Sequence, residues 1–332
     1  MALSEQNIIN QIKLLRRKSP LQLNHINETD AELVMLGNQL LAITTDTVYE
    51  EISLGILTHP YTMGWFAVLA SLSDIAAVGA SPVGLVMNYN LPYKNLEEHF
   101  SQNLIKGVED CVAAHNTFIF GGDTNESDQI SITSTCFGNF ENDKYLLRNK
   151  CKPGDKIYVT EGVGRGNLLG LLNMMKFSIA EQYEANFKPE VDFDFVKIIA
   201  QYASACIDTS DGLFSAFKVL MDVNPQIGFK IESDKIPFQK EVIAISEQQQ
   251  IPKLAFALGK IGDYGLLFTI PTENEEKFLE FTAGKSYCIG QVSNEISFTV
   301  DHLHFDLQKA NELLNDMKDP AAYLKTLVQL LA

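Results

Sequence analysis

An α/β (α+β) chain of two domains is the fold class this sequence predicts, and three observations predict it. Short apolar or alternating runs of strand character recur between longer segments of helical periodicity. The 332 residues suffice for two ordinary hydrophobic cores. Punctuation near residue 150 then splits the chain. QISITSTCFG (Gln129–Gly138) alternates like a half-buried strand, KPGD (Lys152–Asp155) is a turn signal, and KIYVT (Lys156–Thr160) restarts as a short apolar strand. The expected domains are residues 1–148 and 149–332.

In the first domain, LLAITTD (Leu40–Asp46) reads as a buried strand after a Gly37-Asn38 turn. Tyr61–Gly79 reads as a long helix, Val83–Asn90 as a strand and Leu96–His115 as an amphipathic helix. TFIF (Thr117–Phe120) reads as a strand running into Gly121-Gly122. The second domain repeats this grammar. The strand at 156–160 leads into a loop bearing Gly162, Gly164 and Gly166, then a helix ending near Phe177. ACID (Ala205–Asp208) is a strand, followed by a helix from Gly212 to Asp222, a strand in GLLFTIP (Gly265–Pro271) and a short amphipathic helix at Pro320–Leu331. His302 and His304 alternate along an expected strand, which favours a solvent-facing pair over a metal site.

Composition narrows the function classes. Apolar residues make up 46% and charged residues 20%, a globular balance rather than a disordered one. The most apolar run, Trp65–Ala80, is broken by Ser71, Ser73 and Asp74, so it reads as a buried helix and not a membrane span. The N-terminus lacks the apolar core and small-residue cleavage site of a signal peptide, and a cytoplasmic location is expected. Five cysteines without a C-x-x-C pair argue against both a disulfide framework and a zinc site. The net charge of −16 repels nucleic acid and anionic membrane. It repels ATP as well, so a nucleotide site must bring positive charge, which Mg²⁺ supplies.

The residues that carry chemistry are aspartates placed at strand ends or helix starts beside small residues. They recur in TTDT (Thr44–Thr47), LSDIAAVGASP (Leu72–Pro82), GGDT (Gly121–Thr124), IDTSDGL (Ile207–Leu213) and GDYGLLF (Gly262–Phe268), with Asp30 in ETDAEL a sixth. Carboxylate and hydroxyl oxygens are the ligands a hard cation such as Mg²⁺ takes. The bland alternative for each is a helix N-cap worth about 1 kcal/mol, and Asp211 in T-S-D-G is the clearest cap candidate. Asp74 lies inside an apolar helix pattern, where capping fails and an unpaired carboxylate is costly. Asp46 and Asp123 each follow an apolar strand, where ligands bind open α/β sheets. Recurrence is what separates metal binding from capping here.

GVGRGN (Gly162–Asn167) invites a phosphate reading. It lacks the lysine of a P-loop, and Asn167 breaks G-x-G-x-x-G, so a plain strand-to-helix turn stands beside it. Arg148 and Arg165, near glycine turns and strand starts, are the arginines best placed to neutralise a phosphate. Trp65, Phe66 and Met63 are expected in the core or at a subunit interface.

Taken in order, these stretches resemble the superfamily of AIR synthetase, selenide water dikinase and the hydrogenase maturation dehydratase, and within it the thiamine-monophosphate kinases. The family run is GDDAAV, TTD, SDIAAMGA-P, GGDT, R-x-GA-x-PGD, D-x-SDGL and GEDYELLF. This chain has TTD at 44–46, SDIAAVGASP at 73–82, GGDT at 121–124, RNKCKPGD at 148–155, DTSDGL at 208–213 and GDYGLLF at 262–268. The resemblance covers about residues 27 to 295. It implies an AIR-synthetase-like fold of two α/β domains, a homodimer whose N-terminal strands form a shared barrel, and Mg–ATP in an aspartate-lined cleft. By that likeness Asp30, Thr44, Thr45, Asp46, Asp74, Asp123, Asp208 and Asp211 hold metal ions, and Asp46 and Asp211 serve catalysis. Gly121, Gly122, Asp123, Thr124, Arg148 and Ser210 meet the nucleotide. Ser53, Gly262 and Asp263 fall at the acceptor, a small phosphorylated substrate.

The departures cluster at acceptor positions. GDDAAV has become NETDAELV (Asn27–Val34), keeping one aspartate. The family's VEGVHF has become YEEISL (Tyr49–Leu54), with Ser53 at the histidine position. Both glutamates of GEDYELLF are glycines, Gly262 and Gly265, and no aromatic in 305–332 matches the family's substrate cover. The leading expectation is a Mg-dependent, ATP-using phosphotransferase with a diverged acceptor. Two alternatives stand beside it. One is an AIR-synthetase-like cyclisation or dehydration enzyme, against whose dehydratase form the cysteine-free KTLVQLLA end argues. The other is a nucleotide-binding regulatory subunit without catalysis.

Overall fold

The computed structural model describes residues 5–15, 19–142, 144–160, 162–282 and 284–331. The first sheet contains β1 (Glu32–Leu36), β2 (Gln39–Val48), β3 (Ser81–Leu91), β4 (Ile119–Glu126) and β5 (Ser131–Asn139) in the order β1-β2-β5-β3-β4. Only the β3–β4 pair is parallel. The second sheet contains β6 (Lys156–Thr160), β7 (Ala205–Asp208), β8 (Gly228–Ile231), β9 (Leu266–Ile270), β10 (Ser286–Ser293), β11 (Phe298–Val300) and β12 (Leu303–His304). Its order is β12-β11-β8-β10-β6-β9-β7.

Alternation along β2 sets the two faces of the first sheet. Ala42, Thr44, Asp46 and Val48 turn inward, while Thr45 and Thr47 are exposed on the outer face. The inner face is covered by the helix Pro60–Ala77, started by Pro60 in its first turn and buried along most of its length. Its last turn reaches the second half of the chain, where Ala76 and Ala77 share a core with Tyr158, Phe268 and Phe278. Burying each such aromatic contributes about 1.5–3 kcal/mol. The two sheets are thereby clamped around one helix end, next to Asp74. Trp65, Phe66 and Met63 are core residues, as expected.

The expected elements recur with shifted ends: Glu98–Ala114 for the amphipathic helix, Ser81–Leu91 for β3 and Pro320–Leu330 for the last helix. Two readings need correction. The strand read at Thr117–Phe120 is β4, which begins at Ile119 and carries GGDT within it rather than after it. The glycines let β4 lie close along β3, since a Cβ at Gly122 would sit 1.8 Å from the Met87 carbonyl oxygen. His302 is not in a strand. It and Asp301 both take left-handed φ angles, +73° and +49°, and form the two-residue turn joining β11 to β12. Among the described residues no helix is long and apolar enough to cross a membrane. All five cysteines are free, and four of them are buried.

Candidate active site

Three segments far apart in sequence deliver one carboxylate each to the clamped helix end. Asp74 comes from the last turn of the Pro60–Ala77 helix, Asp208 from the end of β7, and Asp30 from the segment before β1. One oxygen from each lies within 4.8 Å of the others. Hydroxyls hold them in place: Thr44 Oγ1 donates to Asp74 at 2.5 Å, Ser73 Oγ to Asp208 at 2.7 Å, and Ser210 Oγ to the other Asp208 oxygen at 3.0 Å. Arg148 donates twice to Asp30, at 2.7 and 3.1 Å. The Asp30 side chain is 1% exposed, so this pair is desolvated as well as bidentate.

The electrostatics follow from this crowding. Burial raises the Asp74 carboxyl well above its ordinary range, and the charges of Asp208 and Asp30 add to the rise. Asp208 is pushed up to about 8 by burial and then by Asp30, with Ser73, Arg148 and Ser210 opposing. Arg148 resists its own burial because Asp30 outweighs it, and the guanidinium stays charged. One arginine therefore faces three carboxylates. Such a group protonates or recruits a cation.

A second set lies beside the first. Burial raises Asp46, with Asp211 adding its charge. Glu51, absent from the sequence expectations, belongs here: burial pushes it up to about 7, with Asp46, Glu50 and Asp211 contributing. Its Oε2 is buried without a hydrogen-bond partner among the described residues. Tyr264 packs its ring against Phe66 at 5.1 Å and is raised by burial and by Glu51, Asp46 and Asp211 in turn. Only YEEISL itself signalled Glu51, because a one-turn helix (Glu50–Ser53) shows no periodicity.

Other expected residues are placed differently. Thr45 is on the outer face, donating to the Ser134 carbonyl oxygen across β5. Asp123 pairs in register with Asn88, whose partner is Thr133, whose partner is Thr47; this row is the outer face, opposite Asp46. Gly121, Gly122, Asp123 and Thr124 are all exposed along the edge strand β4. Within one chain, GGDT and Thr45 do not join the carboxylate cluster. Asp211 is no helix cap, since Gly212 occupies the N-cap position of the Leu213–Val223 helix without a side-chain cap bond.

The glycine loop has an internal anion. Asp263 accepts from the Gly164 amide at 2.7 Å and the Gly166 amide at 2.9 Å, one per carboxylate oxygen. Those are the donors a phosphate reading requires, so the loop is a strand-to-helix turn closed by Asp263. Burial still pushes Asp263 up to about 6 against these bonds. Arg165 lies over the Phe187 ring at 4.7 Å, lining a cavity of about 470 Å³ rather than the carboxylate cluster. Gly262 is packed flush: a Cβ there would be 1.8 Å from the Ser210 carbonyl oxygen. Ser53 is exposed and donates to the Glu50 carbonyl oxygen at 3.0 Å.

The family model for the AIR synthase related protein, N-terminal domain, matches residues 28–140. The thiamine-monophosphate kinase of Aquifex aeolicus is 30% identical over 276 residues, spanning 80% of this chain and 87% of its own. A solved structure described as AaThiL complexed with AMPPCP and TMP superposes with a TM-score of 0.78 at 27% identity, covering 91% of this chain and 96% of that one. E. coli HypE, a hydrogenase maturation protein, shares the fold at 16% identity, with a TM-score of 0.68 and coverage of 91% and 97%. On this evidence the chain belongs to the thiamine-monophosphate kinase family, as an ATP-using phosphotransferase of the AIR-synthase-like fold.

Proposed function

We propose that this chain binds ATP through Mg²⁺ held at the Asp30–Asp74–Asp208 cluster and transfers the γ-phosphoryl group to a small phosphorylated acceptor. The observation that carries this is the convergence of those three carboxylates within 4.8 Å, with Arg148 as their one ion-pair partner among the described residues. An all-oxygen donor set in which burial raises Asp74 and Asp208 suits a hard divalent cation. Asp46, Asp211 and the Thr44 hydroxyl extend the same wall. Mg²⁺ held there would neutralise charge on the phosphates during transfer from ATP, which leaves as ADP, to the acceptor oxygen.

The chain's own residues do the positioning. Arg148 holds Asp30 in place through two hydrogen bonds, while Ser73, Ser210 and Thr44 orient the other carboxylates. Asp263 pins the glycine loop and, through its neighbour Gly262, the close approach to Ser210. Holding reactants in line provides most of the rate in phosphoryl transfer.

The acceptor contacts differ from the family pattern. Gly262 leaves no room for a side chain, and the Ser53 hydroxyl is turned back on its own helix. The proposal therefore treats thiamine monophosphate as a poor acceptor. It also includes a division into domains near residue 148, and a cytoplasmic location, with which the free thiols accord. A homodimer through the outer face of the first sheet completes it, supported by the exposed Val83, Phe118 and Phe120 and by Asp123 on that face. Calorimetric titration of AMPPCP with Mg²⁺ and again with EDTA tests the nucleotide site. Strong binding only with Mg²⁺ supports it; equal affinity in both sinks it.

A further inference from the structure

We infer that Glu51 is a further cation-holding residue of this site, accepting a hydrogen bond from a metal-bound water on the side of Asp46 and Asp211. The inference rests on the Mg–ATP reading above.

Glu51 sits in the one-turn helix Glu50–Ser53, directly after β2 carries Asp46 into the site. Its Oε2 is buried and has no donor among the described residues, so the fold shields a carboxylate oxygen from water without replacing it. A buried polar atom left in this way destabilises the fold, more so when charged, and a bound ligand that donates to it recovers that cost. Asp46, Glu50 and Asp211 all act on it electrostatically, and its charge acts on Tyr264 in turn. Among the described residues the charged groups that act on it most strongly are all acidic. What is missing is positive charge carrying a donor.

A hydrated divalent cation has both. Among the described residues the tight carboxylate group is Asp30, Asp74 and Asp208, and Glu51 stands outside it. Mg²⁺ keeps several of its waters when bound by protein, and those waters donate to carboxylates one layer further out. Glu51 suits that second layer.

The test is thermal melting of the full chain titrated with Mg²⁺, with and without AMPPCP, for wild type, Glu51→Gln and Glu50→Gln. Glu51→Gln is expected to raise the half-saturating Mg²⁺ concentration about tenfold or more while Glu50→Gln leaves it within about twofold. Metal-free Glu51→Gln should melt no lower than wild type, because it removes a buried charge. An unchanged Mg²⁺ half-saturation in Glu51→Gln, or the same rise in both variants, overturns the inference while leaving the Mg–ATP reading intact. A wild type that does not respond to Mg²⁺ overturns both.

Discussion

Arg148 grips Asp30 through two parallel hydrogen bonds, Nη2 to Oδ1 at 2.7 Å and Nε to Oδ2 at 3.1 Å, with side chains only 18% and 1% exposed. This pair joins the segment before β1 to the start of the second half, and it fixes one of the three clustered carboxylates in place. Arg148→Met strands that charge beside Asp74 and Asp208. Loss of about 3–5 kcal/mol is expected by urea denaturation, because breaking a buried pair leaves an unpaired charge. Arg148→Lys keeps the charge but not the fork, and should lose less. A loss below about 1 kcal/mol for Arg148→Met would show that the pair is not a brace.

Much of this site was legible in the sequence, and the limits have physical causes. Asp74 stood out because a carboxylate inside an apolar helix pattern demands a partner, and the structure supplies neighbours in Asp30 and Asp208. Sequence alone does not give sheet faces across a bulged edge, so GGDT read as a loop beside the other aspartates when it is an exposed strand on the opposite face. Asp263 was read at the acceptor because its stretch matched an acceptor motif. Its bonds to the amides of Gly164 and Gly166 join residues about a hundred positions apart and leave no local signal. Glu51 was hidden for a similar reason, since burial without a partner is a tertiary property.

Asp208, Glu51 and Asp263 sit at about 8, 7 and 6, all above the carboxylate values of roughly 4 in an unfolded chain. The native state thus binds more protons than the unfolded state between those limits, and stability falls as pH rises from about 4 to about 8. The metal-free protein should therefore melt progressively lower from pH 5 to pH 8. Saturating Mg²⁺ should remove most of that decline. A metal-free melting temperature that is flat or rises over this range would contradict the carboxylate crowding.

Asp46→Asn and Asp123→Asn should part company, because the two residues lie on opposite faces of the first sheet. Asp46 is raised by burial and by Asp211, so its amide variant should melt higher without metal. Asp123 is exposed and accepts from Asn125 at 3.0 Å, so its variant should stay within about 0.5 kcal/mol of wild type. A drop in metal-free stability for Asp46→Asn would mean that this carboxylate is a structural acceptor for the Thr47 amide.

Gly262→Ala places a methyl 1.8 Å from the Ser210 carbonyl oxygen, which is backbone and must move. A loss of about 1–3 kcal/mol is expected, with weaker Mg²⁺ binding as Asp208 and Ser210 shift. Restoring the family glutamate by Gly262→Glu should be at least as damaging and should not improve turnover of thiamine monophosphate. A stable Gly262→Glu variant with raised turnover would show that this wall is plastic.

Formation of thiamine diphosphate from ATP and thiamine monophosphate at saturating Mg²⁺, compared with the Aquifex aeolicus enzyme under the same conditions, tests the central claim. The account predicts turnover that EDTA abolishes, with kcat/KM lower by about 10²-fold or more, as the proposed divergence at the acceptor positions beside a carboxylate wall requires. Equal kcat/KM would contradict the diverged acceptor, and turnover that persists in EDTA would contradict the metal-dependent site itself.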